Sequence, residues 1–350
     1  MTAVSARQYD LIGYRIVSPF HLVALTAFAQ SFLLERDTLN VLVILSEGPW
    51  GRTLLKNPSV SDPRLNVTFI DEQSAESKFP VWWPLILISR PLINSIAKLT
   101  GARQIPVCAP TLSCVKWSSR SLSSVWHLTP ILIDEGIGTF NTRRQFRRRA
   151  QQQFKAKWIQ PLAILGFRFI HSSLPLFGGK RASFFSFQGQ RPILNTEMAN
   201  ALRSIFKRGY EARDELLNFD KPVVLILTQP FSEGGLCSEN EWVDEIEKMI
   251  IKIRQMGFNP ALKVHPAENF AKYDRLQVER VDYTGPVEEI FAAAGTDIME
   301  IWGFTTTSLI TGSALFGIRA RRMNLPLSFR NAYVVEGEAQ LLFSTYTETL

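Results

Sequence analysis

The segment KPVVLILTQPFSEGGLCSENEWVDEIEKMIIKIRQMGFNPALKVHP, residues 221–266, decides the fold. Pro222 to Leu227 is an apolar run of strand length that ends in Thr228-Gln229-Pro230. Ser238, with Glu241 three residues on, forms a capping box. The helix it opens carries Trp242, Ile246, Met249, Ile250 and Ile253 along one stripe until Gly257 ends it. Ala261 to Val264 is the next strand and runs straight into His265-Pro266. A strand, a helix and a strand in such close succession are the building unit of a parallel α/β sheet.

The same alternation extends outward. Toward the C-terminus, Pro286 to Ala294 reads as a short helix and Ile298 to Trp302 as a strand. Thr305 to Phe316 reads as a helix entered through a Thr/Ser-rich turn. Toward the N-terminus, Leu11 to Val17 reads as a strand, and Ser18-Pro19 as an N-cap followed by proline at the first helical position. The helix beyond it places Leu22, Leu25, Phe28, Ala29 and Phe32 on one face. Val41 to Leu45, Val67 to Ile70 and Ile131 to Ile133 are further strands, the last ending in Asp134-Glu135-Gly136. Between residues 185 and 220 the pattern weakens, which sets a domain junction there. The expected organisation is an N-terminal Rossmann-like domain over residues 1–190 and a second over 191–325. A tail, residues 326–350, is expected to return to the first domain. Two such halves facing each other would share one site in a central cleft, beyond the carboxyl ends of the strands.

Composition narrows the partners. The 350 residues are 46% hydrophobic, with 24 Phe and 8 Trp, enough for two full cores and too much for a disordered chain. The formal net charge of +7 favours anionic partners such as nucleotides, acidic glycans or an anionic membrane surface. Cys108, Cys114 and Cys237 form no CxxC pair, so a reducing, cytoplasmic setting is the expectation. Met1 to Tyr14 lacks a signal-peptide layout. The apolar stretches Phe79 to Ser89 and Trp158 to Phe167 fall short of the roughly 20 residues of a spanning helix.

Four short motifs carry candidate chemistry, each with a plain alternative. Asp134-Glu135-Gly136 at a strand end would present a carboxylate able to act as general base, or would be an acidic turn. In Lys263-Val264-His265-Pro266 the imidazole would hydrogen-bond a phosphate, or would simply occupy a loop. Thr305, Thr306, Thr307 and Ser308 precede an apolar helix, where hydroxyls and free N–H groups suit an anion; one of the four would serve as an ordinary cap. Glu288 and Glu289 after Pro286 would meet ribose hydroxyls, or would only complement the helix dipole.

In this order and spacing, the motifs resemble those of the bacterial sialyltransferase families marked by a D/E-D/E-G motif, an HP motif and a later Ser/Thr motif. The likeness is greatest to capsular polysialyltransferases and lipooligosaccharide sialyltransferases. Ser18-Pro19-Phe20-His21-Leu22 and Thr228-Gln229-Pro230 fit the same pattern. The resemblance implies the GT-B fold, CMP-sialic acid as donor, a glycan acceptor, inversion at the anomeric carbon, and no cofactor or catalytic metal. It makes Asp134 or Glu135 the base, Asp134 being preferred as the first of the pair. His265 would support the departing CMP phosphate, with Lys263, Pro266 and Gln229 on the donor side. Glu288 would hold the ribose, and Thr306, Thr307 and Ser308 the phosphate. Ser18, His21 and Gly136 would lie on the acceptor side. Three threonines stand where the family often has serines, which leaves the phosphate ligand open.

Other donors and other classes of protein fit parts of this pattern. A transferase using CMP-Kdo or another CMP-linked nonulosonate would suit a similar site. A UDP-sugar enzyme would need more phosphate donors, and the sequence has no DxD motif for a metal-bound diphosphate. A nucleic-acid-binding or membrane-surface protein without catalysis is the alternative from another class, but no nucleic-acid-binding motif is present, so no nucleic acid is expected. The run Arg143, Arg144, Arg147, Arg148, Arg149, Lys155 and Lys157 has three readings: a groove for an acidic glycan, a peripheral contact with the inner face of an anionic membrane, or a solvated helix face.

Overall fold

Apolar runs of strand length with turn residues at their ends pair side by side in both halves of the chain, and in each half they build a parallel six-stranded sheet. The computed structural model describes residues 9–32, 36–45, 62–71, 103–110, 126–133, 180–213, 219–293, 297–326, 329 and 335–350. The chain divides into two units, Met1–Phe184 with Asn195–Ile205, and Phe185–Leu194 with Phe206–Leu350.

The first unit holds β1 (Leu11–Ile16), β2 (Leu39–Leu45), β3 (Leu65–Asp71), β4 (Arg103–Ala109), β5 (Trp126–Ile133) and β6 (Lys180–Ala182). Their order is β3-β2-β1-β4-β5-β6, with every pair parallel. Leu11, Ile12, Tyr14 and Ile16 of the central β1 are all buried, the mark of a strand covered on both faces. Its pairing with β2 slips at Arg15, where φ is 56°, so a bulge bends the strand just before it exits. Ser18 then caps α1 (Pro19–Phe32), its Oγ accepting the His21 N–H at 3.2 Å. Leu22, Leu25, Phe28 and Ala29 are buried as the spacing requires. Gly13 lets α1 lie close on β1, because a Cβ there would run into Leu25. The strand Arg103–Ala109 was disguised in the sequence by Pro106, which pairs opposite Thr129, while Pro130 of β5 sits opposite Val107.

The second unit opens with an antiparallel hairpin, β7 (Phe185–Gln188) and β8 (Arg191–Leu194), turned at Gly189 with φ 62°. The helix α2 (Thr196–Glu211) follows, its residues up to Ile205 counted with the first unit and those from Phe206 with the second. The sheet consists of β9 (Val223–Leu227), β10 (Asn259–Lys263), β11 (Glu279–Arg280), β12 (Ile298–Gly303), β13 (Arg319–Arg322) and β14 (Glu348–Thr349). Its order, β11-β10-β9-β12-β13-β14, repeats that of the first sheet, again all parallel. In the order of assembly each sheet is 3-2-1-4-5-6, the arrangement of dinucleotide-binding units. The α/β class and the two Rossmann-like halves expected from sequence are both present.

Between β9 and β10 lies α3 (Glu239–Gln255), whose capping box forms as read: Ser238 Oγ accepts the Glu241 N–H, and the Glu241 carboxylate accepts the Ser238 N–H at 2.8 Å. Trp242, Ile246, Met249, Ile250 and Ile253 are buried in the core, together with Phe231, Tyr273, Trp302, Phe304 and Phe329. The helices α4 (Val287–Ala293) and α5 (Thr307–Phe316) flank β12 in sequence. Gly312 lets α5 pack closely, since a Cβ would meet Ile301 and Phe291.

The C-terminal residues are counted with the second unit: α6 (Gly337–Tyr346) and β14 belong to it, and β14 extends its sheet with Arg321 opposite Glu348. Opposite charges on neighbouring strands hold this edge, with Arg321 Nε 2.8 Å from Glu300 and Arg319 3.6 Å from Glu348. Among the described residues no helix is long and apolar enough to cross a membrane. The stretches Phe79 to Ser89 and Trp158 to Phe167 lie outside the described residues.

The capping box yields a direct test of this packing. Ser238→Ala should lower stability by about 1 kcal/mol in urea denaturation, because an orphan N–H at the start of α3 loses its acceptor. Ser238 is exposed, so the loss should come from the cap alone, without a cavity in the core.

Candidate active site

The second sheet reverses direction at β9. Its neighbours are β10 on one side and β12 on the other, the switch point beyond whose carboxyl ends ligands of open α/β sheets bind. Three loops meet there: 228–230 after β9, 264–268 after β10, and 304–306 leading into α5.

Hydrogen bonds tie these loops together. The Thr228 N–H donates to the Lys263 carbonyl at 3.2 Å. The Thr228 hydroxyl accepts the His265 N–H at 2.9 Å. The next residue, Gln229, reaches the other way: its Oε1 accepts the Thr305 N–H at 2.9 Å and the Thr305 hydroxyl at 3.3 Å. Gly303 keeps the third loop close, since a Cβ there would stand 3.2 Å from the Leu227 carbonyl oxygen. The expected donor-side residue Gln229 is therefore a buried brace between two strand ends.

His265 is half-buried at the mouth of this arrangement, with Pro266 exposed beside it. Its Nδ1 accepts the Ala267 N–H at 3.1 Å, so in the neutral ring the proton sits on Nε2. Burial holds the imidazole below its ordinary pKa, against the opposing pull of the Glu268 carboxylate. At neutral pH the ring is therefore uncharged, with an Nε2–H donor that has no protein partner among the described residues. The Glu268 carboxylate also accepts the His265 N–H at 3.1 Å. The sequence does not single out Glu268, and it marks Thr228 only as part of Thr228-Gln229-Pro230, without a role of its own. Their only local signals are a carboxylate three residues after the histidine and a hydroxyl at the first position past β9.

The Thr/Ser turn forms at the start of α5. Thr306 is the N-cap, its hydroxyl accepting the Ser308 N–H at 3.3 Å, and Thr307 is the first helical residue. The Ser308 hydroxyl donates to Glu288 Oε1 at 2.9 Å, and the Thr311 hydroxyl donates to the same oxygen at 2.8 Å. Glu288 is buried, and burial raises its carboxyl above the usual range despite these two donors. The geometry thus favours Glu288 as the anchor of the Thr/Ser turn rather than as a direct ribose contact. Lys263 is likewise buried, its Nζ donating to the Tyr283 carbonyl at 2.7 Å, so it fastens the loop before α4. Glu289 is paired with Arg213 at 2.8 Å and accepts the Tyr283 hydroxyl at 2.6 Å. Gly285 leaves room for that cluster, because a Cβ would collide with it.

In the first unit, Ser18 and His21 follow the carboxyl end of β1, next to β4, where that sheet reverses direction. Ser18 serves as the α1 cap, and His21 is buried with its Nδ1 accepting the Val17 N–H at 3.4 Å. On the same edge, β5 ends at Ile133. Asp134, Glu135 and Gly136 come next in sequence and lie outside the described residues, as do the basic run from Arg143 to Lys157 and Cys114.

The alpha-2,8-polysialyltransferase family model matches residues 66–324, well over half of the sequence. The chain belongs to this family, and is a glycosyltransferase of the sialyltransferase type. No curated protein matches it significantly. Solved structures with a similar course include the 2,6-sialyltransferase of Photobacterium sp. JT-ISH-224 in complex with CMP and lactose. It is 10% identical, covers 97% of this chain and 78% of its own, and has a TM-score of 0.48. A sialyltransferase from Photobacterium damsela is 8% identical over 97% of this chain and 81% of its own, at a TM-score of 0.41. The UDP-GlcNAc 2-epimerase of Methanocaldococcus jannaschii is 8% identical over 95% and 91%, at 0.48. Likenesses this distant carry no argument about chemistry.

The buried His21 leads to a pH test. Burial lowers its pKa to about 4, whereas an unfolded histidine takes up its proton near 6.5. The stabilising contribution of the neutral ring is therefore complete above pH 6.5 and is lost as the pH falls toward 4. Between about pH 7 and pH 5, the wild type should lose roughly 2 kcal/mol more stability than His21→Gln in urea denaturation. Equal losses in both proteins would show that the ring is not desolvated.

Proposed function

We propose that the protein is an inverting, metal-independent transferase that moves sialic acid from CMP-sialic acid to a hydroxyl of a glycan acceptor. The observation that carries this reading is the bracing of three loops at the carboxyl edge of β10, β9 and β12. There a neutral imidazole and a helix N-terminus provide donors suited to a phosphate.

In the proposed reaction Asp134, or Glu135 beside it, removes the proton from the acceptor hydroxyl. The acceptor oxygen bonds to the anomeric carbon as the bond from that carbon to the phosphate oxygen breaks. A single displacement of this kind inverts the anomeric centre and needs no enzyme nucleophile. The phosphate of CMP leaves with added negative charge, and the His265 Nε2–H stabilises it together with the turn at Thr306, Thr307 and Ser308. Glu288 supports donor binding by holding Ser308, and Gln229 by bracing Thr305. A CMP leaving group carries one phosphate, which an imidazole and a helix terminus can stabilise without a divalent ion. The acceptor is assigned to the carboxyl edge of the first sheet, where Ser18 and His21 stand and from which Asp134, Glu135 and Gly136 continue. The basic run from Arg143 to Lys157 supports an acidic acceptor, or an anionic membrane on the cytoplasmic side, as a partner.

His265→Ala should lower both transfer and donor hydrolysis by on the order of 100-fold, the usual effect of losing one such donor. Wild-type activity should persist in excess EDTA. The check is a rate comparison with CMP-sialic acid, CMP-Kdo and UDP-sugars. Turnover of a UDP-sugar alone, abolished by EDTA and restored by magnesium or manganese, would overturn the reading.

A further inference from the structure

A buried carboxylate that the reaction does not touch lies directly behind the His265 turn. Glu268 is fully buried and stands at the centre of five donors. Its Oε1 accepts the Tyr273 hydroxyl at 2.7 Å and the Trp242 Nε1–H at 3.0 Å, and Lys272 Nζ lies 2.8 Å away. Its Oε2 accepts the Thr228 hydroxyl, and also the His265 N–H at 3.1 Å. These donors come from the end of β9, from α3, from the loop after β10 and from the short 3₁₀ turn Phe270–Tyr273. Burial, reinforced by the Glu268 carboxylate, pushes the Tyr273 phenol well above its ordinary range, so it stays a donor.

We propose that Glu268 is a positioning residue for the transfer reaction, acting through His265. The inference rests on the reading of His265 as the donor to the leaving phosphate. A core could close over this region with apolar side chains at less desolvation cost. What the carboxylate adds is a fixed backbone: the His265 N–H is shared between Glu268 Oε2 and the Thr228 hydroxyl, which is itself donated to Glu268. The ring is then set by Ala267, whose N–H holds Nδ1. Together these bonds fix the direction of the Nε2–H. A donor displaced by about 1 Å loses much of its worth to a developing charge. Thr228 is the second member of the device, since its hydroxyl links the carboxylate to the His265 backbone.

The test measures CMP-sialic acid hydrolysis by wild type, Glu268→Gln, His265→Ala and the double variant, with folding checked by circular dichroism. Lys272 keeps its contact with Glu233 at 2.9 Å in the Gln variant, which favours a folded product. Glu268→Gln should lower kcat by roughly 10- to 100-fold with a nearly unchanged KM. In the His265→Ala background it should cost almost nothing further, because residues acting as a unit are not additive. A merely structural role would instead lower kcat by the same factor in both backgrounds, and that result would overturn the proposal. A wild-type kcat in Glu268→Gln beside a crippled His265→Ala would overturn it alone. A wild-type rate in His265→Ala would overturn it together with the reading it rests on. If Glu268→Gln does not fold, the Thr228 pair decides. Thr228→Val should lose kcat and Thr228→Ser should restore it, whereas a wild-type rate in Thr228→Val would refute the inference.

Discussion

Val223–Leu227 is buried on every side, paired to β10 along one edge and to β12 along the other. A strand so enclosed can present polar chemistry only where it ends, and its backbone groups past that point need partners or water. Both demands fall on Thr228 and Gln229. Thr228 answers toward β10, by its N–H to Lys263 and its hydroxyl to the His265 turn. Gln229 answers toward β12, by its carboxamide oxygen on Thr305. The loops that carry the candidate chemistry are thus held by the residues that close off the central strand. The parallel order of the sheet puts those loops side by side, and adjacent side chains hold them there.

The polar groups around this edge fall into two layers. The inner layer consists of buried groups already paired: Glu268 with its five donors, Glu288 with Ser308 and Thr311, Lys263 with Tyr283, and Glu289 with Arg213 and Tyr283. None of these is well suited to meet a substrate directly, because each would have to surrender a buried bond to do so. The outer layer is smaller. It is the imidazole of His265, kept neutral by burial, and the turn that starts α5. A phosphate leaving group needs donors already in place when its charge appears, and the inner layer supplies that rigidity.

The architecture was largely legible in the sequence because it depends on local patterns. The capping box at Ser238 and Glu241, the stripe from Trp242 to Ile253 and the apolar runs ending at Leu227 and at His265 each announce their element within a few residues. Elements defined by distant partners were not legible. Arg319–Arg322 looks like a charged loop until Glu300 and Glu348 are set opposite its arginines. Arg103–Ala109 is hidden by Pro106. The helix Thr196–Glu211 has a readable stripe in Met198, Leu202, Ile205 and Phe206, but the half-exposed hairpin before it made the whole stretch look like a junction. At the site, residue types and motif positions could be read from the sequence, whereas the division of labour could not. Glu268 lies 40 residues from Thr228 along the chain, and Ser308 lies 20 from Glu288. Only folding shows that the expected ribose and phosphate ligands bind each other.

The central claim is that the edge formed by β10, β9 and β12 receives the phosphate of CMP. A crystal structure of the protein with CMP tests it most directly. The account predicts a phosphate oxygen about 3 Å from His265 Nε2, a normal hydrogen-bond distance, with the phosphate capped by the Thr306 to Ser308 turn. CMP bound with its phosphate elsewhere, and with His265 making no contact to it, would contradict the account.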